Sequence, residues 1–88
     1  MYIESLEKDI LVHTAKKTFT TSARLYVLEG MLPAEQFIRI SNSLIIEKSS
    51  IERIRPALSQ KFYLILKNGD TVDVARSYYY RFKEYYGI

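Results

Sequence analysis

From Phe37 to Ile46 the chain reads Phe-Ile-Arg-Ile-Ser-Asn-Ser-Leu-Ile-Ile, two β-branched and aromatic runs separated by a short polar step. Phe37, Ile38 and Ile40 lead in and Leu44, Ile45 and Ile46 lead out, so the step Ser41-Asn42-Ser43 is pinned between two buried strands. Short polar side chains that bond their own backbone fix the shape of such a step, and Asn42 keeps an amide with both a donor and an acceptor. Two readings fit these residues: a recognition loop on a β scaffold, or a plain turn between strands.

The flanking sequence extends the β pattern in both directions. Tyr2 to Ser5 and Asp9 to Thr14 read as two antiparallel strands joined by Leu6-Glu7-Lys8, and Ala15-Lys16-Lys17 turns the chain into a third, Thr18 to Thr21. The chain opens almost inside its first strand, as expected of a domain trimmed there. From Ser22 the period changes. Leu25, Leu28 and Leu32 stand at helical spacing, with Thr21 or Ser22 as the expected cap and Pro33 as the stop. This helix is expected to pack rather than to recognise, since Arg24 is its one basic residue and Glu29 opposes it.

Beyond the central stretch, Glu47 to Ser50 is a polar turn and Ile51 to Arg55 a strand that Pro56 marks as ending there or lying on an edge. Lys61 to Lys67 and Thr71 to Val74 flank Asn68-Gly69, a strong hairpin signal. A two-residue loop would set Leu64 against Asp73. A three-residue loop, Lys67-Asn68-Gly69, instead pairs Leu64 with Val72 and Phe62 with Val74, keeping like with like, and it requires Gly69 in the left-handed conformation. Arg76 to Tyr86 reads as a terminal helix capped by Ser77, closed by Gly87, with Tyr78, Phe82 and Tyr85 facing the sheets. The expected core comprises Phe37, Ile40, Leu44, Ile46, Leu64, Leu66, Val72 and Val74.

Composition narrows the function. At 88 residues and 48% hydrophobic the chain suits a single small domain, residues 1–88. Its longest apolar run is Phe62 to Leu66, far below the roughly twenty residues that span a bilayer, so a soluble cytoplasmic protein is expected. No cysteine is present and His13 stands alone in a strand, which leaves no nucleophile, base or metal set. Gly30, Gly69 and Gly87 are isolated and form no phosphate loop. Neither an enzyme nor a cofactor protein is expected. The net charge of +3 arises entirely after residue 43, where eight basic residues face five acidic ones, so a polyanion would prefer that half.

Four segments in order carry a resemblance. Phe37-x-Arg39-Ile40-x-x-Ser43 followed by three apolar residues resembles the core motif of the LytTR domain, the mainly β DNA-binding module of LytR/AlgR-type response regulators. Tyr2-Ile3-Glu4-Ser5 is similar to that family's opening strand, Leu64 to Gly69 to its late hairpin, and Val74-Ala75-Arg76 to its closing Val-Ser-Arg. The resemblance implies short antiparallel sheets with one short central helix and a C-terminal helix. It also implies a bacterial transcriptional regulator that reads the major groove of a promoter through loops.

By position, Lys8, Asn42 and Arg76 become the base-contacting residues, with Arg39, Ser41, Ser43, Ser77 and Tyr78 near enough to touch phosphates. The chemistry fits, because arginine presents a fork to guanine and asparagine pairs a donor and an acceptor with adenine. The implied partner is double-stranded DNA, with a second copy on repeated half-sites and a receiver domain as further candidates and no small-molecule substrate. Ser41-Asn42 stands where the family usually has His-Arg or His-Asn, and Glu47 where it has Asn; both changes subtract attraction for DNA. The competing expectation is a protein-interaction or oligomerisation module, docked through the tyrosine-rich end, in which DNA binding has decayed.

Overall fold

The computed structural model describes residues 1–7, 9–14 and 16–88. Lys8 and Ala15, which fall in two of the expected turns, lie outside the described residues. Strands β1 (Tyr2–Leu6), β2 (Asp9–His13) and β3 (Thr18–Thr21) precede helix α1 (Leu25–Met31) and the hairpin of β4 (Phe37–Ser41) and β5 (Leu44–Glu47). A 3-10 turn (Lys48–Ser50) leads to β6 (Ile51–Ala57), β7 (Lys61–Leu66) and β8 (Thr71–Val74); a second (Arg76–Tyr78) leads to helix α2 (Tyr79–Tyr86). The strands form two antiparallel sheets, ordered β3-β2-β1-β5-β4 and β6-β7-β8. The fold is mainly β, as the residue pattern and the resemblance imply.

The larger sheet is covered on both faces at β5. In β5, Ile45 pairs with Ile3 and Arg39, and Ile46 pairs with Tyr2 and Ile38. Neighbouring side chains on a strand point to opposite faces. Ile45 therefore joins Ile3, Ile10 and Leu25 under α1, and Ile46 joins Ile38, Ile40, Phe62, Leu64, Leu66, Val74 and Phe82 between the two sheets and α2. The two isoleucines are 1% and 0% exposed. This double burial corrects the expected core. Ile40, Ile46, Leu64, Leu66 and Val74 are buried, but Phe37, Leu44 and Val72 are only half-buried. Phe37 and Val72 lie on the border strands β4 and β8, and Leu44 abuts the turn.

The late hairpin has the expected register, Phe62 with Val74 and Leu64 with Val72, and Gly69 takes φ +94°. Asn68 Oδ1 accepts from the Asp70 amide at 2.9 Å and Leu66 oxygen from the Gly69 amide at 2.9 Å, which closes the loop. Pro56 stays within β6, the free border strand of the smaller sheet, so the edge alternative is the one observed.

Helix ends depart from expectation. α1 begins at Leu25 with Arg24 as its cap residue and no side-chain cap bond; the Thr21 hydroxyl accepts from the Ala23 amide at 3.3 Å instead. It stops at Leu32, which is extended (φ −90°, ψ 146°) as the residue before a proline tends to be. α2 begins at Tyr79, not under a Ser77 cap, because Arg76–Tyr78 winds as a 3-10 turn. Gly87 closes it in the left-handed region, φ +67°. The buried stripe shifts accordingly. Phe82 is 0% exposed and packs against the rings of Phe62 and Tyr86, whereas Tyr85 turns aside and donates its hydroxyl to Ala34 oxygen at 2.8 Å.

Candidate nucleic-acid interface

The turn between β4 and β5 is built from its own backbone inward. A register shift between Arg39 and Ser41 kinks β4, the Ser43 amide donates to Ser41 Oγ at 3.2 Å, and the Ser5 amide of β1 donates to Ser43 oxygen at 2.8 Å. Because Ser5 is next to the end of β1, the connection leaving that strand starts on the same border of the sheet as Asn42 and Ser43. Asn42 and Ser43 are both exposed.

Arg39 holds the turn from below. It pairs with Ile45, so its side chain lies on the α1 side of the sheet, where it is only 12% exposed. Its Nε donates to Ser41 oxygen at 2.9 Å, Nη2 to Asn42 oxygen at 2.8 Å, and Nη1 to Glu29 Oε1 at 2.8 Å. The planar fork of arginine suits two carbonyls and a carboxylate at once. Arg39 was expected among the phosphate contacts; its guanidinium is engaged within the chain. Glu29 of α1 also accepts from Arg81 Nη2 of α2 at 3.3 Å, so one carboxylate joins two cations and ties both helices to the turn.

Arg76, Ser77 and Tyr78 approach the same turn from the other sheet. The Ala75 amide donates to Ile40 oxygen at 2.8 Å, which docks the end of β8 onto the border of β4. Tyr78 then reaches Asn42, its hydroxyl donating to Oδ1 at 3.0 Å, while Arg81 lies 5.1 Å from the centre of the Tyr78 ring. The Asn42 amide keeps both N–H donors and the second lone pair of Oδ1, enough for a two-bond pairing with a base edge. Arg76 is exposed and makes no ion pair with a described residue. Its neighbour Lys61 is paired with Asp73 at 2.8 Å. The hydrogen bond and charge of Asp73 hold the Lys61 ammonium above its ordinary range, against the opposing Arg76 charge.

Of the sequence-derived residues, Asn42, Ser41 and Ser43 thus meet Arg76, Ser77 and Tyr78 at one place, and Lys8 lies outside the described residues. Glu29 and Arg81 were missed as partners of this site. For Arg81 a signal existed, its place three residues after Tyr78, the spacing at which helical side chains meet. Glu29 read only as a charge opposing Arg24. Glu47, a departure from the family pattern, pairs with Phe37 at the far end of the hairpin from Asn42, which weakens its repulsion at the turn.

A family model of the LytTr DNA-binding domain matches residues 1–87. The chain is 32% identical over its whole length to the sensory transduction protein LytT of Enterococcus faecalis, covering 37% of that protein. It is 31% identical to LytT of Bacillus subtilis over 89% of the chain and 32% of that protein. The chain therefore spans about a third of the length of these relatives. Among solved structures, a LytTr DNA-binding domain from Bacillus cereus superposes with TM-score 0.95 at 33% identity, over 100% of this chain and 81% of that one.

Proposed function

From the premise that this chain belongs to the LytTR family of DNA-binding domains, we propose that it is the promoter-reading part of a bacterial transcriptional regulator, inserting loops into the major groove. The observation that carries this reading is that Asn42 and the segment carrying Arg76, groups of directional chemistry from different sheets, are brought together by Tyr78, while the Asn42 N–H donors, one lone pair of its Oδ1 and the Arg76 guanidinium have no partner among the described residues. Asn42 and Arg76 read base edges, and Lys8 joins them from the connection after β1. Ser41, Ser43, Ser77 and Tyr78 border the phosphates. Arg39 acts on DNA only through the turn it holds.

The chain works in the cytoplasm, without catalysis of its own and without a cofactor. It spans about a third of relatives named sensory transduction proteins, which supports reading it as the output part of a longer protein, alongside a receiver domain. Two copies occupy repeated half-sites.

Selection from a random duplex pool, followed by titrations on the enriched sequence and a scrambled one, tests the reading. Arg76→Ala and Asn42→Ala should each cost about 1 to 3 kcal/mol on the enriched duplex and much less on the scrambled one. If no sequence is enriched and Arg76→Ala binds every duplex as the parent does, the domain is a protein-interaction module instead.

A further inference from the structure

The β6–β7 hairpin has features that neither core explains. Ala57 pairs with Lys61 and Phe62 with Val74, so the hairpin tip, Leu58-Ser59-Gln60, stands at the end of the small sheet from which Ala75 and Arg76 emerge. Gln60 Nε2 donates to the Tyr80 hydroxyl at 2.7 Å, two residues from the tyrosine that bonds Asn42. One short segment, Arg76 to Tyr80, thus ties the tip to the Asn42 turn.

The tip carries one bare apolar side chain on an unusual backbone. Leu58 is 91% exposed and belongs to neither core cluster, and Ser59 and Gln60 sit in the left-handed region at φ +65° and +55°, which non-glycine residues seldom adopt. On the flank of the hairpin, Ile51 and Ile54 face the core while Arg53 and Arg55 are exposed, on the outer face with Tyr63. Neither arginine makes an ion pair with a described residue. Lys61, the remaining cation of the hairpin, is taken by Asp73.

We infer that the β6–β7 hairpin is a further DNA-contacting element, with Leu58 packed on the sugar and methyl surface of a groove and Arg55 and Arg53 on the phosphates beside it. This rests on the DNA-binding reading above. An exposed leucine flanked by guanidinium groups without ion pairs among the described residues matches a groove wall, which is apolar at the sugars and thymine methyls and lined by phosphates. The contact adds affinity and footprint, not sequence choice, because phosphate contacts carry no base information.

Titrations over a range of salt concentrations test it. Glutamine replaces each charge but keeps the border strand polar, so Arg53→Gln with Arg55→Gln leaves edge protection intact. That double variant should flatten the dependence of log affinity on log salt by about 1.8, roughly 0.9 for each lost phosphate contact, alike on enriched and scrambled duplexes. Leu58→Ser should weaken binding roughly fivefold at every salt concentration. All three side chains are exposed, so the variants should unfold at the parent's midpoint. If Arg76→Ala loses the enriched duplex but these variants bind with the parent's slope and affinity, the hairpin inference is overturned alone. If Arg76→Ala is silent too, the DNA reading falls with it.

Discussion

The Tyr78 hydroxyl donates to Asn42 Oδ1 at 3.0 Å across 36 positions of sequence, and this one bond joins the turn of the large sheet to the segment carrying Arg76. It leaves both donors of the Asn42 amide free while restricting its rotation. A side chain already oriented loses less freedom on binding.

Tyr78→Phe removes the hydroxyl and little else. Stability should change by no more than about 1 kcal/mol, since the bond is solvent-exposed. Discrimination between an enriched and a scrambled duplex should narrow, by less than Asn42→Ala narrows it. A phenylalanine variant that discriminates as sharply as the parent would show the bond to be incidental.

Arg39→Lys keeps the charge but loses the fork that grips Ser41 and Asn42 oxygens and Glu29 together. The expected cost is about 1 to 3 kcal/mol in urea denaturation, because three acceptors, two of them part-buried, lose a charged donor. The amide resonances of Asn42 and Ser43 should shift in NMR spectra. An unchanged midpoint with unshifted resonances would remove Arg39 from this role.

Gly69 has no atom within 4 Å of where a Cβ would stand, so the cost of a side chain there is conformational and not steric crowding. At φ +94°, Gly69→Ala should destabilise by about 1 kcal/mol and Gly69→Asn by less, as asparagine visits the left-handed region more readily. Equal stability of all three proteins in denaturant would count against the loop conformation.

Burial, and secondarily the neighbouring Tyr85, pushes the Tyr86 phenol above its ordinary range. A folded-state pKa above the unfolded one means that the stabilisation is complete below pH about 10 and is lost as pH rises through the folded value. Denaturation midpoints should therefore fall above pH about 10. Tyr86→Phe should fall less steeply; an identical profile would mean that other groups govern the alkaline limit. Tyr2, whose phenol burial also raises, contributes with the same sign.

The residues that could be read in advance were those whose partners are close in sequence. The register of Phe62 with Val74 follows from alternation across one short loop, and Pro56 marks a border strand by the donor it lacks. The caps expected at Thr21 or Ser22 and at Ser77 did not form: α1 begins at Leu25 and α2 at Tyr79, each later than its local signal, as tertiary packing overrides local propensity. Val72 and Ile45 show the same limit in the core, since alternation says which residues share a face but not whether a face is covered. At the proposed site, Asn42 and Arg76 were singled out by their chemistry and by the resemblance to LytTR domains, and the bond that orients Asn42 comes from Tyr78, 36 positions away. The partners of Arg39 were not legible, because Glu29 and the two carbonyls that it grips converge only in three dimensions.

Ile45 and Ile46 lie back to back in β5, one in each core. A wall shared by two cores couples them, because α1 cannot loosen without exposing one side of β5, nor α2 and the small sheet without exposing the other. Subglobal opening is thereby suppressed, and the domain should melt as one cooperative unit. Backbone amides of β5 should exchange with solvent deuterium only through complete unfolding, whichever helix frays first.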